Sequence, residues 1–193
     1  MTTKKAIITA ATDCLALKGY EGASMRDVAA AAHVQTSQIY YYFSDKSELF
    51  EAVFRQIIQN LRDDIEPIRE IEDVTERMRA IIDYQLRKRK MLAALLNYFV
   101  AQSHKFPKRD DDGYVPASAY MHVLECLKIG EASGIYQSHT SMIDAKIIAH
   151  IMNGFILEYT NRPLAKLQRE KLVAAIADFI ESATKALSKE ETT

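Results

Sequence analysis

The sequence is poor in the residues that interrupt helices or cross-link small folds: it has six Gly, four Pro, two Cys and no Trp among 193 residues. Few Gly and Pro favour long helices over a turn-rich sheet protein. Cys14 and Cys126 lie far apart in apolar segments, which argues against a disulfide framework and a C-x-x-C metal clip. We therefore expect an all-α protein with two buried, reduced thiols.

The sequence also lacks any long apolar run. No segment approaches the roughly 18 uninterrupted apolar residues of a membrane helix, and no signal-peptide pattern follows the first residues. We expect a cytoplasmic protein with no membrane partner. The net charge is −1, and basic and acidic residues balance within residues 1–50. Charge alone therefore does not indicate a nucleic-acid partner.

Enzyme signatures are missing as well. The sequence has no G-x-S-x-G, H-E-x-x-H, Walker or G-x-G-x-x-G pattern, and its five His include no pair spaced i, i+4. We therefore expect no enzymatic activity, no metal and no cofactor.

The first two helices are predicted from apolar spacing and caps. Apolar residues recur at helical intervals from Ala6 to Leu17, and Gly19 marks the end of that helix. Ser24 and Asp27 have the spacing of a capping box, which predicts a second helix over residues 25–32.

A third helix is predicted over residues 35–43, after a turn at His33 and Val34. Ile39 and Phe43 form its inward pair. Its other side chains carry hydroxyls or amides: Gln35, Thr36, Ser37, Gln38, Tyr40, Tyr41 and Tyr42. Such groups can read base edges in a major groove while Tyr hydroxyls reach phosphates. A solvated amphipathic helix with half-buried tyrosines would have the same composition.

A fourth helix is predicted to run from Lys46 past Arg62 and to end before Pro67. Asp45 is its N-cap, and Glu48 completes a capping box. Lys46 in the first turn opposes the helix dipole. This placement makes sense if an anion, such as a DNA phosphate, shares the helix N-terminus.

These segments together resemble the signature of TetR/AcrR-family repressors. The resemblance rests on S-M-R-D-V-A from Ser24, A-H-V from Ala32 and I-Y-Y-Y-F-S-D-K-S-E-L from Ile39. It implies a three-helix helix-turn-helix DNA-binding domain over residues 1–48. A helical-bundle domain for effector binding and dimerisation would follow over residues 49–193.

The resemblance also implies roles for single residues. Those facing bases would be Thr36, Gln38 and Tyr40. Those contacting the DNA backbone would be Ser24, Tyr41, Tyr42 and Lys46. Three positions depart from the family pattern: His33 replaces the usual turn Gly, Gln35 the usual Ser cap, and Ser37 a common Gly. These departures put transferred base specificity in doubt, and His33 must adopt a left-handed conformation.

Further helices are predicted from Val74 to Val100 and over residues 117–132, 143–160 and 164–187, with a polar loop at 105–116. The helix over 143–160 is apolar on two sides and must be covered on both. We expect its own core to cover one side and a second subunit the other, in a homodimer through residues 143–187. The resemblance implies the same arrangement.

Isolated polar residues in apolar segments are candidates for effector binding: Tyr84, Asn97, Gln102, His122, Glu125, Cys126 and Asn153. A pocket needs an apolar lining with a few donors and acceptors, and the resemblance places it within residues 74–160. Each candidate has an alternative role at a rim, in the core or in a dimer contact. The sequence therefore predicts a repressor that binds a palindromic double-stranded DNA operator and is released by a small hydrophobic or amphipathic effector. The alternative is a DNA-binding organiser of the same fold with no effector.

Overall fold

The computed structural model describes residues 3–102, 119–136 and 141–186, and within these it leaves out the side chains of residues 119–120, 141–143 and 185–186. The described residues form α-helices and no β-strand, which confirms the all-α prediction. The loop predicted at 105–116 and Leu187, the predicted end of the last helix, lie outside the described residues.

The helices are α1 Thr3–Gly22, α2 Met25–Ala31, α3 Thr36–Tyr42, α4 Lys46–Arg69, α5 Val74–Arg87, α6 Arg89–Ala101, α7 Ala119–Ala132, α8 Ser141–Tyr159 and α9 Lys166–Ala186. Gly19 has φ 69° and ψ 176°, so the first helical run ends there as predicted, and one short turn to Gly22 follows a kink.

The predicted end of α4 was wrong. The helix continues through Pro67 to Arg69. Pro67 cannot donate to the carbonyl four residues earlier, but the flanking Ile65 and Ile68 are 6% and 9% exposed. Burial of such side chains contributes roughly 1.5–3 kcal/mol each, which is enough to hold the last turn despite the missing bond.

The chain forms two compact units. The described part of the first unit is residues 3–63 and 88–102, and that of the second is residues 64–87, 119–136 and 141–186. The boundary predicted at residue 48 concerns function and stays a prediction, because the compact units divide the chain within α4 and between α5 and α6.

The first unit is built around α1. Its apolar face, with Ile7, Ala11 and Leu15 fully buried, packs along α6 and also contacts α2 and α3. The Asn97 amide on α6 donates to the carbonyls of Leu15 and Ala16 at 3.0 and 3.2 Å. This side chain therefore ties α6 to the region of α1 just before the kink.

The second unit is built around α5, which contacts α7, α8 and α9, while α7 packs against α8. Ion pairs lie at its surface: Arg79 with Asp178, and Asp83 with Arg169, join α5 to α9. At the end of α7, Gly134 has φ 72° and closes the helix. Within α7, Gly130 lies so close to Tyr136 that an added Cβ would be 2.1 Å from the ring.

Candidate functional site

The N-terminus of α2 is fixed by the predicted capping box. The Ser24 hydroxyl accepts from the Asp27 N–H at 3.2 Å, and the Ser24 N–H donates to Asp27 Oδ2 at 2.9 Å. Lys18 on α1 forms an ion pair with the other oxygen of Asp27. The Lys18 ammonium, together with the bonds from Ser24, lowers the pKa of Asp27 to about 2. Asp27 therefore stays ionised and joins α1 to α2.

The turn between α2 and α3 confirms the prediction for His33, which adopts φ 55°. The His33 N–H donates to the Ala30 carbonyl at 3.2 Å, and the Val34 N–H donates to the Ala29 carbonyl at 3.0 Å. These bonds satisfy carbonyls in the last turn of α2, and their free energy offsets the modest strain of a left-handed non-Gly residue. The turn thereby sets the direction in which α3 leaves α2.

Helix α3 is anchored by one face and exposed on the other. Ile39 is fully buried and Phe43 is 3% exposed, which confirms the predicted inward pair. Tyr40 and Tyr41 are 54% and 82% exposed. Gln35, Ser37 and Gln38 are also exposed, whereas Thr36 and Tyr42 are half-buried. The candidate DNA-reading side chains thus share one outward surface.

On this surface the Gln38 side chain makes a hydrogen bond within α3. Its Oε1 accepts from the Gln35 N–H at 3.1 Å, at the first turn of α3. The Gln38 N–H in turn donates to the Gln35 carbonyl at 2.9 Å. With Oε1 occupied, the Nε2 protons of Gln38 remain to donate, and this favours an acceptor on whatever α3 contacts.

The predicted capping box of α4 needs a correction. Asp45 Oδ1 accepts from the Glu48 N–H at 2.8 Å, as an N-cap should. Glu48, however, accepts from the N–H and hydroxyl of Ser44, one residue earlier than predicted. The Ser44 N–H lowers the pKa of Glu48 below its usual value. The reciprocal bond lies at Ser44 because its hydroxyl adds a second donor there.

Lys46, predicted to hold a phosphate, contacts the end of α1. Its Nζ donates to the Glu21 carbonyl at 3.3 Å and lies 4.7 Å from the centroid of the Tyr20 ring. The Tyr20 ring in turn packs edge-on against Phe50 and Tyr98. The ammonium is therefore held by a carbonyl and a π-face, both weaker partners for it than a phosphate anion.

Sequence reasoning missed Lys4. Its Nζ lies 5.5 Å from the centroid of the Phe43 ring, and its charge lowers the pKa of Glu48 as a minor contribution. A second cation therefore lies beside the junction of α3 and α4. The sequence did contain a sign of this cation. Lys4 and Lys5 are adjacent at the start of α1, and the first turn of that helix carries no acidic residue to neutralise them.

Comparison with known proteins identifies this region. Residues 7–53 match the family profile described as bacterial regulatory proteins, tetR family. This N-terminal segment is therefore similar to the tetR family. This confirms the resemblance to TetR/AcrR regulators. The HTH-type transcriptional regulator RutR of Escherichia coli K12 is 34% identical over 77 residues, so the match spans about a third of either protein: 36% of this chain and 36% of RutR.

Solved structures share the fold over nearly the whole chain. A transcriptional regulator from Saccharomonospora viridis in complex with choline has a TM-score of 0.68 at 21% identity, and the match covers 92% of this chain and 95% of that one. AibR in complex with isovaleryl coenzyme A and operator DNA has a TM-score of 0.64 at 18% identity, covering 94% and 97%. At these identities the likeness shows the TetR-type fold alone.

The candidate effector residues are divided between the units. Asn97 and Gln102 belong to the first unit, where the Asn97 amide is already bonded to α1 and Gln102 ends α6. The others belong to the second unit: Tyr84, His122, Glu125, Cys126 and Asn153. The structure does not bring the seven together within one unit, and their role stays a prediction.

Four of the candidates in the second unit have defined surroundings. The Tyr84 hydroxyl donates to Asp64 at 3.2 Å, and burial raises the Tyr84 pKa. Glu125 accepts from Arg69 at 3.1 Å. Cys126 is fully buried, as predicted, and burial raises its pKa to about 12, so the thiol stays protonated. Burial also lowers the pKa of His122, which keeps that ring neutral at pH 7.

The second unit exposes an apolar surface on α8. Ile148, Met152 and Ile156 face the core, whereas Ile147 and Leu157 are 53% and 51% exposed. This pattern confirms that α8 is apolar on two sides. On α9, Ile176 and Ile180 are buried but Phe179 is 58% exposed. We call Ile147, Ile151, Leu157 and Phe179 the apolar surface of the second unit.

Other kinds of site find no support within the described residues. None of their helices has both the length and the apolar character needed to cross a membrane. Within the same ranges, His, Cys, Asp and Glu side chains form no group of three that would suit a metal ion.

Proposed function

We propose that the protein is a transcriptional repressor that binds a palindromic DNA operator as a homodimer and is released by a small effector. The observation that carries this proposal is α3. It is anchored by Ile39 and Phe43 and presents hydroxyls and amides outward, within the segment that matches the TetR family. Tyr40 and Tyr41 expose two neighbouring rings on this helix, and adjacent exposed apolar groups favour an interaction surface over a purely solvated helix.

We assign base contacts to Thr36, Gln38 and Tyr40, with Gln35 and Ser37 beside them on the first turn. Tyr41, Tyr42, Ser24 and Lys46 would contact the DNA backbone. Lys4 joins this backbone set because it lies beside the start of α4. A phosphate near α4 would draw Lys46 from the Glu21 carbonyl, since a charge-assisted bond to an anion is the stronger one.

The experiment is selection of bound duplexes from a random library, followed by affinity measurements on the selected site. We expect a palindrome whose half-sites lie about one helical turn, or a multiple of it, apart. Gln38→Ala should cost roughly 1–3 kcal/mol at a single base pair of each half-site. Gln59→Ala, at an exposed amide on α4, is the matched control and should leave operator affinity unchanged. A selection that enriches no palindrome would count against the proposal.

The dimer is proposed from the apolar surface of the second unit. Exposed Ile, Leu and Phe side chains on α8 and α9 are unfavourable in water, and a second copy of the chain would cover them. Homodimer interfaces of this kind commonly bury about 2,000 Å² or more and resemble a divided core.

The effector is proposed to bind in the second unit, near Tyr84, His122, Glu125, Cys126 and Asn153. Asn97 and Gln102 remain candidates from the first unit. The solved structures of this fold that contain choline or isovaleryl coenzyme A support a ligand-binding role. Helix α4 has residues in both units, so we propose that it transmits a shift of its Arg69 end to Lys46.

The test of sensing is a reciprocal titration. An effector that prefers the DNA-free form by about 1–3 kcal/mol weakens operator binding about 5- to 150-fold, and the operator must weaken effector binding by the same factor. If effector affinity is equal with and without saturating operator, the protein is better described as a DNA-binding organiser without an inducer.

A further inference from the structure

Gln85 on α5 is a buried amide without partners. It is 3% exposed, and its neighbours on the same helical face, Met78, Ile81 and Ile82, are 0–2% exposed. Neither Nε2 nor Oε1 has a hydrogen-bond partner among the described residues. Buried side-chain amides are nearly always bonded, because losing water without a replacement is unfavourable. Such a group therefore needs an explanation.

The surroundings of Gln85 favour an uncharged ligand. Helix α5 packs against α7, where Cys126 is fully buried and stays a thiol. On the same helix α7, Glu125 is paired with Arg69 of α4. On the face of α5 that carries Gln85, the buried Met78, Ile81 and Ile82 offer only hydrocarbon, so a ligand group that reaches the amide meets no countercharge from these neighbours.

We infer that Gln85 is the polar anchor of the effector site and that it selects an uncharged ligand group that donates and accepts side by side, such as a primary amide or a lactam, on an apolar body. This inference rests on the proposed function and names the ligand class. A primary amide donates to Gln85 Oε1 and accepts from Nε2, so both atoms are satisfied together. A carboxylate offers no proton to Oε1 and would leave its own charge buried.

The binding test uses four small probes and the full chain. Octanamide and cyclohexanecarboxamide carry the primary amide, and their N,N-dimethyl counterparts keep the carbonyl but lack the N–H. Calorimetry should show each primary amide binding about tenfold or more tightly than its dimethyl counterpart, because the dimethyl form leaves Oε1 unpaired. In Gln85→Met this ratio should fall to about one. Gln59→Met, at an exposed amide on α4, is the control and should keep the ratio.

A stability measurement separates this role from a structural one. Gln85→Met keeps the volume and removes two unsatisfied groups, so its melting temperature without ligand should rise. Gln85→Leu is the second variant, in case the Met side chain packs poorly. A lower melting temperature in both variants would mean that the amide supports the free fold, and the inference would be wrong. An unchanged probe ratio, or no binding of either primary amide, would overturn it as well.

Operator binding distinguishes this inference from the proposed function. If the amides bind through Gln85 without changing operator affinity, the ligand assignment stands and the sensing function fails. If neither amide binds while the operator is still bound, the assignment to Gln85 fails and the DNA-binding function stands.

Discussion

The two units expose surfaces of opposite chemistry. In the first unit α3 presents hydroxyls and amides, with Tyr41 82% exposed. In the second, α8 and α9 present hydrocarbon, with Phe179 58% exposed. Donors and acceptors lose little in water and suit a partner rich in phosphates and base edges. Hydrocarbon is unfavourable in water and suits a partner that removes it from solvent. The two surfaces therefore suit different partners, which we propose to be DNA and a second copy of the chain.

The largest effect is expected from placing a charge on the apolar surface. Phe179→Asp would leave an unpaired carboxylate in the proposed interface, where burial is very unfavourable. We expect a monomeric or insoluble product that no longer holds a palindrome. Sedimentation and operator titration measure both properties.

The matched control for that variant is Val100→Asp, at a residue of α6 in the first unit that is 73% exposed. It should sediment like the unchanged protein. A soluble Phe179→Asp variant that remains dimeric with normal operator affinity would show that the apolar surface of the second unit is not the dimer interface.

A smaller effect is expected inside the second unit. Gly130→Ala places a Cβ 2.1 Å from the Tyr136 ring, which is 3% exposed and has little room to move. The free energy of unfolding should fall by about 1–3 kcal/mol, as for other overpacked cores. Gly22→Ala in the first unit meets only the Lys18 Cβ at 3.4 Å and should be close to neutral. Denaturant titration compares the two, and equal losses would contradict the packing described for α7.

Lys46→Ala tests whether the Lys46 ammonium contacts a DNA phosphate. Removing one phosphate contact should weaken binding similarly for all DNA sequences and flatten the dependence of log affinity on log salt by about one unit. Lys128→Ala, exposed on α7, should leave that slope unchanged. An unchanged slope in Lys46→Ala would mean that this ammonium remains with Glu21 and Tyr20 on DNA.

The smallest effect concerns pH. Because the folded pKa of Asp27 is about 2, below the unfolded value of about 3.9, its ionised form favours the folded state. This contribution is fully present above about pH 4 and is lost as the pH falls through about 2. The stability difference between the unchanged protein and Asp27→Asn should therefore shrink at low pH. Chemical unfolding at pH 3 and pH 7 measures it, and a constant difference would show that the pair with Lys18 contributes nothing.

Local patterns predicted much of the structure of residues 1–48. The Ser24 cap and the inward pair of α3 depend on residues three or four positions apart, so spacing alone indicates them. The left-handed His33 was implied instead by the family resemblance. Lys46 differs because its partner Glu21 lies 25 positions earlier. Only the packing of α4 against the end of α1 brings them together, and no sequence pattern contains that information.

The second unit was harder to predict for a related reason. Its helices were placed correctly by apolar periodicity, yet the same periodicity concealed Gln85, which occupies a position of the apolar stripe. Whether such an amide finds a partner depends on side chains from other helices. The end of α4 was mispredicted likewise, because burial of Ile65 and Ile68 outweighs the local preference of Pro67 to end a helix.

Pro67 also affects how α4 opens in solution. Its nitrogen carries no hydrogen, so the Asp63 carbonyl has no donor four residues later in the helix. Asp63 is also the last residue of α4 that belongs to the first compact unit. Local opening of a helix end costs the bonds that it breaks, and the turn after residue 63 has one fewer. Amide protons in that last turn should therefore exchange with deuterium faster than those of the preceding turns, so that α4 behaves as two exchange units within one continuous helix.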